Sequence, residues 1–354
     1  MSLSIAIAFE PGPGAEALRQ VVEETPGWKV AWTASSAAQA VARCAADTPD
    51  VLLLGLTAPG GDDVEATKRI MAASPTTILI VTAAAGAAST EIGRVFDAMA
   101  SGARDVVEAP RRGPDGRLEG ADPLRAKIAL LARLAAPQSW SPAPRAGPPA
   151  PPPDLVPLVA IGASTGGPGA VAAILAALPA DLGAAVVVVQ HVDGPFAAGL
   201  AAWLGGRAGR PVRLAANGDR PRQGDLLLAG TSAHLVVTED GSLAYTPEPR
   251  DCPYRPSVDA FLSSAARSWT ARGTAVLLTG MGRDGAEGLL RCREAGWHTI
   301  AQDQESSVLY GMPRVAREIG AAVEVLPLSG IAPAVARQVR EDRSGRGRKE
   351  PQRR

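Results

Sequence analysis

Ser164 lies in Gly162-Ala163-Ser164-Thr165-Gly166, between the apolar run LVAIGA at 158–163 and the helix-like PGAVAAILAAL. A G-x-S-x-G pentapeptide at a strand-to-helix turn exposes a serine hydroxyl, and N–H groups at the helix start face a developing oxyanion. Pro168 suits the first helical turn, where its missing N–H costs nothing. The same glycine-rich turn invites a phosphate-loop reading. A Walker-type loop, however, needs Lys and then Ser or Thr after its last glycine, and Pro168-Gly169 follow Gly167.

A serine nucleophile needs a base, and the chain has three histidines. His191 ends the next strand-like run, AAVVVVQ, so adjacent β/α units bring it to the sheet edge that carries Ser164. His234 opens a strand of an expected hairpin and His298 precedes TIAQ; both read as structural or solvated. Asp284, in LLTGMGRDGAEG, follows another strand at that edge, where it can orient an imidazole; a helix-cap or Asx-turn role is the plainer reading. The order Ser, His, Asp differs from that of α/β-hydrolases, where the acid precedes the histidine.

Two further loops carry chemistry. Residues 280–285, GMGRDG, form a G-x-G-x-x-G after a strand and before a helix, which points to an NAD(P)-dependent oxidoreductase. Against it, the Asp284 carboxylate would repel the pyrophosphate that such a loop holds. In Cys252-Pro-Tyr-Arg-Pro-Ser-Val-Asp259, Ser257 or Asp259 is expected to cap a helix, and Arg255 is a candidate to meet a polar substrate group.

The elements that position these loops are those of an α/β protein. Apolar runs at 3–8, 29–33, 51–55, 77–82 and 104–107 alternate with helical spacings, which predicts a flavodoxin-like, receiver-type (βα)5 domain over 1–136. LVAIGA, AAVVVVQ, DLLLAG, AVLLTG and HTIAQ predict a second α/β/α domain over 154–338, doubly wound and mostly parallel. HLVVTE and SLAYTP around Asp240-Gly241 predict a β-hairpin within it. The proline-dense stretch 137–153 reads as a linker and the charged residues 339–354 as a flexible tail.

Composition removes other classes. The 36 basic and 36 acidic residues balance, which argues against nucleic acid as the main partner. No apolar run is long enough to cross a bilayer and the start lacks a signal-peptide pattern, so no membrane insertion and a cytoplasmic location are expected. Cys44, Cys252 and Cys292 are widely spaced and read as buried thiols with no metal role.

Taken together, IGASTGG, VVVVQH, RPSVD, LLTGMGRDGAEGL and TIAQDQESSVLYGMP make residues 155–338 resemble the chemotaxis protein-glutamate methylesterases. The resemblance implies a serine hydrolase that removes methyl esters from glutamate side chains of methyl-accepting chemotaxis receptors; many members also deamidate receptor glutamines. It implies Ser164 as nucleophile, His191 as general base and acid, Asp284 as its partner, and no metal or organic cofactor. The backbone N–H groups of Thr165 and Met281 are our expectation for the oxyanion hole. A non-catalytic signalling scaffold is the third reading.

The family usually places a response-regulator receiver in front, partnered by a histidine kinase or other signalling proteins. Residues 3–110 match its rhythm but not its chemistry. Phe9 and Glu10 stand where a receiver has its acidic pair, Gly55 where it has the phosphoacceptor aspartate, and Glu108 where it has a lysine before proline. Thr82 alone matches, and Asp62 and Asp63 fall at a helix start. The expectation is a pseudo-receiver that keeps the fold and has lost aspartyl phosphorylation.

Overall fold

The computed structural model describes residues 2–56, 62–82, 89–113, 117–134, 155–250, 252 and 254–346, and the chain forms two compact units, Met1–Trp140 and Ser141–Arg354. The expected linker at 137–153 lies outside the described residues.

The first unit runs β1 (Leu3–Ala8), α1 (Pro13–Glu24), β2 (Trp28–Ala34), α2 (Ala37–Ala46), β3 (Val51–Gly55), α3 (Asp63–Ala73), β4 (Thr77–Thr82), α4 (Ser89–Ala100) and β5 (Asp105–Glu108). A short antiparallel ribbon, β6 (Arg111–Arg112) and β7 (Leu118–Glu119), then leads into α5 (Ala121–Leu134). The parallel sheet has the order β2-β1-β3-β4-β5. Its central strands β3 and β4 are buried along their whole length, which is why VLLLG and TILIVT are unbroken apolar runs. Leu18, Val21 and Val22 turn one stripe of α1 onto this sheet.

At the C-terminal edge of that sheet, a Cβ built on Gly55 would overlap the Phe9 ring, so the aromatic side chain occupies the space next to residue 55. Glu108 is exposed, and the Thr82 hydroxyl lies 3.4 Å from the Val107 carbonyl oxygen. Asp62 is the N-cap residue of α3 but makes no side-chain capping bond. Asp63 is buried and pairs with Arg94 of α4.

The second unit runs β8 (Leu158–Ala163), α6 (Gly167–Ala177), β9 (Ala185–Gln190), α7 (Gly194–Ala208), β10 (Arg213–Leu214), β11 (Leu226–Leu228), β12 (His234–Val237) and β13 (Leu243–Thr246). It continues with α8 (Val258–Ser268), β14 (Gly273–Leu277), α9 (Ala286–Glu294), β15 (His298–Gln302), α10 (Met312–Glu318), β16 (Glu324–Leu326) and α11 (Leu328–Arg346). All strand pairs of its sheet, β10-β11-β9-β8-β14-β15-β16, are parallel. β8 is central, with β9 on one side and β14 on the other. The hairpin β12–β13 turns at Asp240-Gly241 and forms a separate antiparallel ribbon, packed on the core through Leu235, Val237 and Leu243.

Two expectations change. Helix α11 continues to Arg346, with Asp342 buried and 3.4 Å from Arg272, so the residues from 339 to 346 are helical rather than a tail. Cys44 and Cys292 are buried, but Cys252 is only half-buried. Among the described residues no helix is long and apolar enough to cross a membrane, and no cluster of His, Cys, Asp or Glu is arranged to hold a metal ion.

Candidate active site

Ser164 leaves the end of β8 on a turn whose tightness depends on Gly166, at φ +74°, a left-handed conformation that glycine adopts without strain. The turn is fixed on three sides. Gln190, buried at the end of β9, donates from its side-chain amide to the Ser164 carbonyl at 2.8 Å. The Ser164 N–H donates to the Thr279 carbonyl at 3.1 Å, and the Thr279 hydroxyl donates to the Thr165 carbonyl at 2.9 Å.

The segment after β15 braces this arrangement. Gln302 accepts the Thr279 N–H at 2.8 Å, Leu309 donates its N–H to the Thr279 hydroxyl at 2.9 Å, and Met312 donates to the Gly280 carbonyl at 2.9 Å. Residues 302–312 therefore hold the loop after β14 against the serine turn.

His191 follows β9 directly. Its Nδ1 lies 3.0 Å from Ser164 Oγ and its Nε2 lies 2.7 Å from Asp284 Oδ2. An ionised carboxylate only accepts, so Nε2 carries the ring proton and the Nδ1 lone pair faces the serine hydroxyl. Side chains from the ends of β8 and β9 and from the loop after β14 thus form one hydrogen-bonded chain.

Asp284 is buried and owes its orientation to α8. Oδ1 accepts from the Ser257 hydroxyl at 2.8 Å and the Asp259 N–H at 3.1 Å, and Oδ2 accepts the Val258 N–H at 2.6 Å. The carboxylate therefore sits at the N-terminus of α8, where unpaired N–H groups and the helix dipole favour negative charge. Burial pushes the Asp284 carboxyl upward, but hydrogen bonds and charge from His191, with the N–H groups of Val258 and Asp259, outweigh it and hold the carboxyl below its ordinary range. The helix-cap reading and the triad-acid position coincide in this residue, although the helix it caps is not the one that follows it. A dinucleotide site would seat its pyrophosphate at the start of α9, the helix that follows the 280–285 loop. There, however, the Asp259 carboxylate accepts the Gly288 N–H at 2.6 Å and adds a negative charge, so the loop is no cradle for pyrophosphate. The dinucleotide expectation is withdrawn.

The loop before α8 also supplies a contact that the sequence did not reveal. The Tyr254 ring stacks on His191, with centroids 4.7 Å apart and planes 13° from parallel. Burial and the Asp284 charge raise the Tyr254 phenol, which keeps it neutral. Arg255, chosen from this loop on the sequence, is exposed and donates to the Arg250 carbonyl at 2.6 Å. Ser257 caps α8 through the Ala260 N–H at 3.2 Å, as expected. His234 is buried between the Ser257 N–H, 3.1 Å from Nδ1, and the Pro249 carbonyl, 3.1 Å from Nε2, and His298 pairs with Glu324 at 2.7 Å. Both histidines hold structure away from the serine.

The Thr165 N–H meets no acceptor among the described residues and belongs to the residue that follows the serine. Met281 is nearly buried on the braced loop after β14, one residue beyond Gly280.

Residues 159–335 match a family model described as CheB methylesterase. The chain is 48% identical over 344 residues to protein-glutamate methylesterase/protein-glutamine glutaminase 4 of Burkholderia thailandensis, covering 97% of this chain and 100% of that one. It is 48% identical over 331 residues to protein-glutamate methylesterase/protein-glutamine glutaminase 2 of Pseudomonas syringae pv. syringae, covering 94% and 98%. Among solved structures, the Thermotoga maritima CheB methylesterase catalytic domain is 34% identical with a TM-score of 0.49, covering 51% of this chain and 98% of that one.

Proposed function

This chain belongs to the CheB methylesterase family, and from that premise we propose that Ser164, His191 and Asp284 hydrolyse methyl esters of glutamate side chains on chemoreceptors. The observation that carries the assignment is the unbroken chain from Ser164 Oγ through both ring nitrogens of His191 to Asp284, at 3.0 and 2.7 Å.

The steps follow from these positions. Ser164 Oγ attacks the ester carbonyl as His191 Nδ1 takes its proton, and Asp284 stabilises the resulting imidazolium. The Thr165 N–H, with that of Met281 in this reading, faces the oxyanion. Collapse breaks the bond to the methoxy oxygen, which leaves as methanol with the proton from His191. Water, deprotonated by the same nitrogen, then releases the glutamate carboxylate and restores Ser164. Arg255 stays a candidate substrate contact through its place on the Tyr254 loop. The double name of the relatives favours a second substrate: on a glutamine side chain the same steps expel ammonia.

A serine-reactive fluorophosphonate tests the assignment, with peptide mapping of the labelled site. Labelling at Ser164 that His191→Ala suppresses is expected; labelling at another serine, or none, contradicts it.

We read residues 1–136 as the pseudo-receiver domain and, with α11 running on past the expected end at 338, residues 154–346 as the catalytic domain. Gly55 has no side-chain oxygen to phosphorylate, and Phe9 fills the space beside it. The position directly before Pro110 is Ala109 rather than Glu108, which lies one residue earlier and exposed, so no cation stands there for phosphate. These residues do not fit a magnesium ion. Any partner of this unit, a histidine kinase included, therefore acts by contact.

A further inference from the structure

We propose that Asp259 is a positioning residue for the triad acid, acting through a reciprocal capping of α8 and α9. Asp284 stands immediately before Gly285, the N-cap of α9, yet its carboxylate caps α8 through the N–H groups of Val258 and Asp259. Asp259 lies in the first turn of α8, yet its carboxylate accepts the Gly288 N–H in the first turn of α9 at 2.6 Å. Each helix start is thus closed by a carboxylate from the other.

The two helices are held close enough for this exchange. A Cβ on Gly288 would lie 2.7 Å from the Leu262 Cβ, and Cys292 Sγ lies 3.4 Å from the Leu262 carbonyl oxygen. A slip of α8 against α9 would carry the Val258 and Asp259 N–H groups away from Asp284, and with them the orientation of His191. The Asp259–Gly288 bond resists that slip from the opposite side of the Asp284 turn. Neither proton transfer nor acyl transfer uses Asp259, so a direct chemical role does not account for its placement. Burial, then the Asp284 charge, raise its carboxyl well above the ordinary range, as expected for two acids sharing two helix starts.

The proposal rests on the assignment of Ser164, His191 and Asp284, and its test separates the two. Full-length wild type, Asp259→Ala, Asp259→Asn and Ser164→Ala are compared for methanol release from methylated receptor. The downfield proton of the His191–Asp284 hydrogen bond is followed by NMR. Asn keeps an oxygen for the Gly288 N–H and should hold kcat and the proton signal near wild type. Ala should lower kcat by about 10-fold to 100-fold at unchanged KM, the scale of a small misplacement of a reacting group, and weaken or abolish the signal. A folded Asp259→Ala protein with wild-type kcat and signal overturns the proposal, as does an Asn variant that falls as far as Ala. Should Asp259→Ala not fold, Asp259→Ser is judged by the same two readouts. If wild type releases no more methanol than Ser164→Ala, the catalytic assignment has failed, and the proton signal still decides the role of Asp259.

Discussion

Asp284 Oδ2 accepts the Val258 N–H at 2.6 Å while meeting His191 Nε2 at 2.7 Å, so one carboxylate oxygen joins a helix start to the catalytic imidazole. The orientation of the acid comes from α8, and its charge is satisfied by N–H and O–H donors rather than by water.

Ser257 serves both the acid and the helix: its hydroxyl bonds Asp284 Oδ1 at 2.8 Å and caps α8 through the Ala260 N–H at 3.2 Å. Ser257→Ala should cost about 1–2 kcal/mol of stability, the range of a lost cap. It should also lower kcat with little change in KM. Urea unfolding and steady-state kinetics measure the two effects; an unchanged kcat would show that the Ser257 bond does not orient the acid.

Tyr254 contributes a ring face to His191 at 4.7 Å. Tyr254→Phe keeps the face and should retain most of kcat. Tyr254→Ala opens the imidazole to water and should reduce kcat by about tenfold or more. Equal kinetics for the two variants would remove the stack from the mechanism.

The two acids give stability a pH signature of opposite sign. Asp284 is held below its ordinary value, so its contribution is full above the unfolded carboxylate value, about 4, and is lost as pH falls through the lower folded value. Asp259 is held above, so the native state keeps its proton longer and stability declines as pH rises from about 4 through the raised folded value. Asp259→Asn should therefore gain on wild type in unfolding free energy as pH rises over that range. Asp284→Asn should lose ground on wild type as pH rises from strong acid into the carboxylate range. Urea titrations across that pH series check both signs.

In the first unit, Gly55→Asp places a side chain where the Phe9 ring lies, so it should destabilise the unit and accept no phosphoryl group. Wild type with a small phosphodonor and magnesium should likewise form no aspartyl-phosphate on residues 1–136. A stable aspartyl-phosphate there, or a rise in esterase activity, would contradict the pseudo-receiver reading.

Much of this was legible in the sequence. LVAIGA and HTIAQ form β8 and β15 as written; the first is the unbroken apolar run of a buried parallel strand, whereas the second also buries the polar Thr299 and Gln302. Edge strands β10 and β16 gave no such signal, being short and partly exposed. Ser164 and His191 stood out because each follows a strand that pairs with the other's. Tyr254 did not, and Asp259 read only as a cap of its own helix. The stack on His191 and the bond to the Gly288 N–H of α9 join segments far apart in the chain, contacts that no local spacing encodes. His234 could be set aside as structural, but only its bond to the Ser257 N–H shows what it supports.

The most direct measurement is methanol release from methylated receptor by wild type and Ser164→Ala under identical conditions. Wild type should release methanol stoichiometric with ester loss, and the variant should be slower by about 10³-fold or more. Equal rates from the two proteins would contradict Ser164 as the nucleophile.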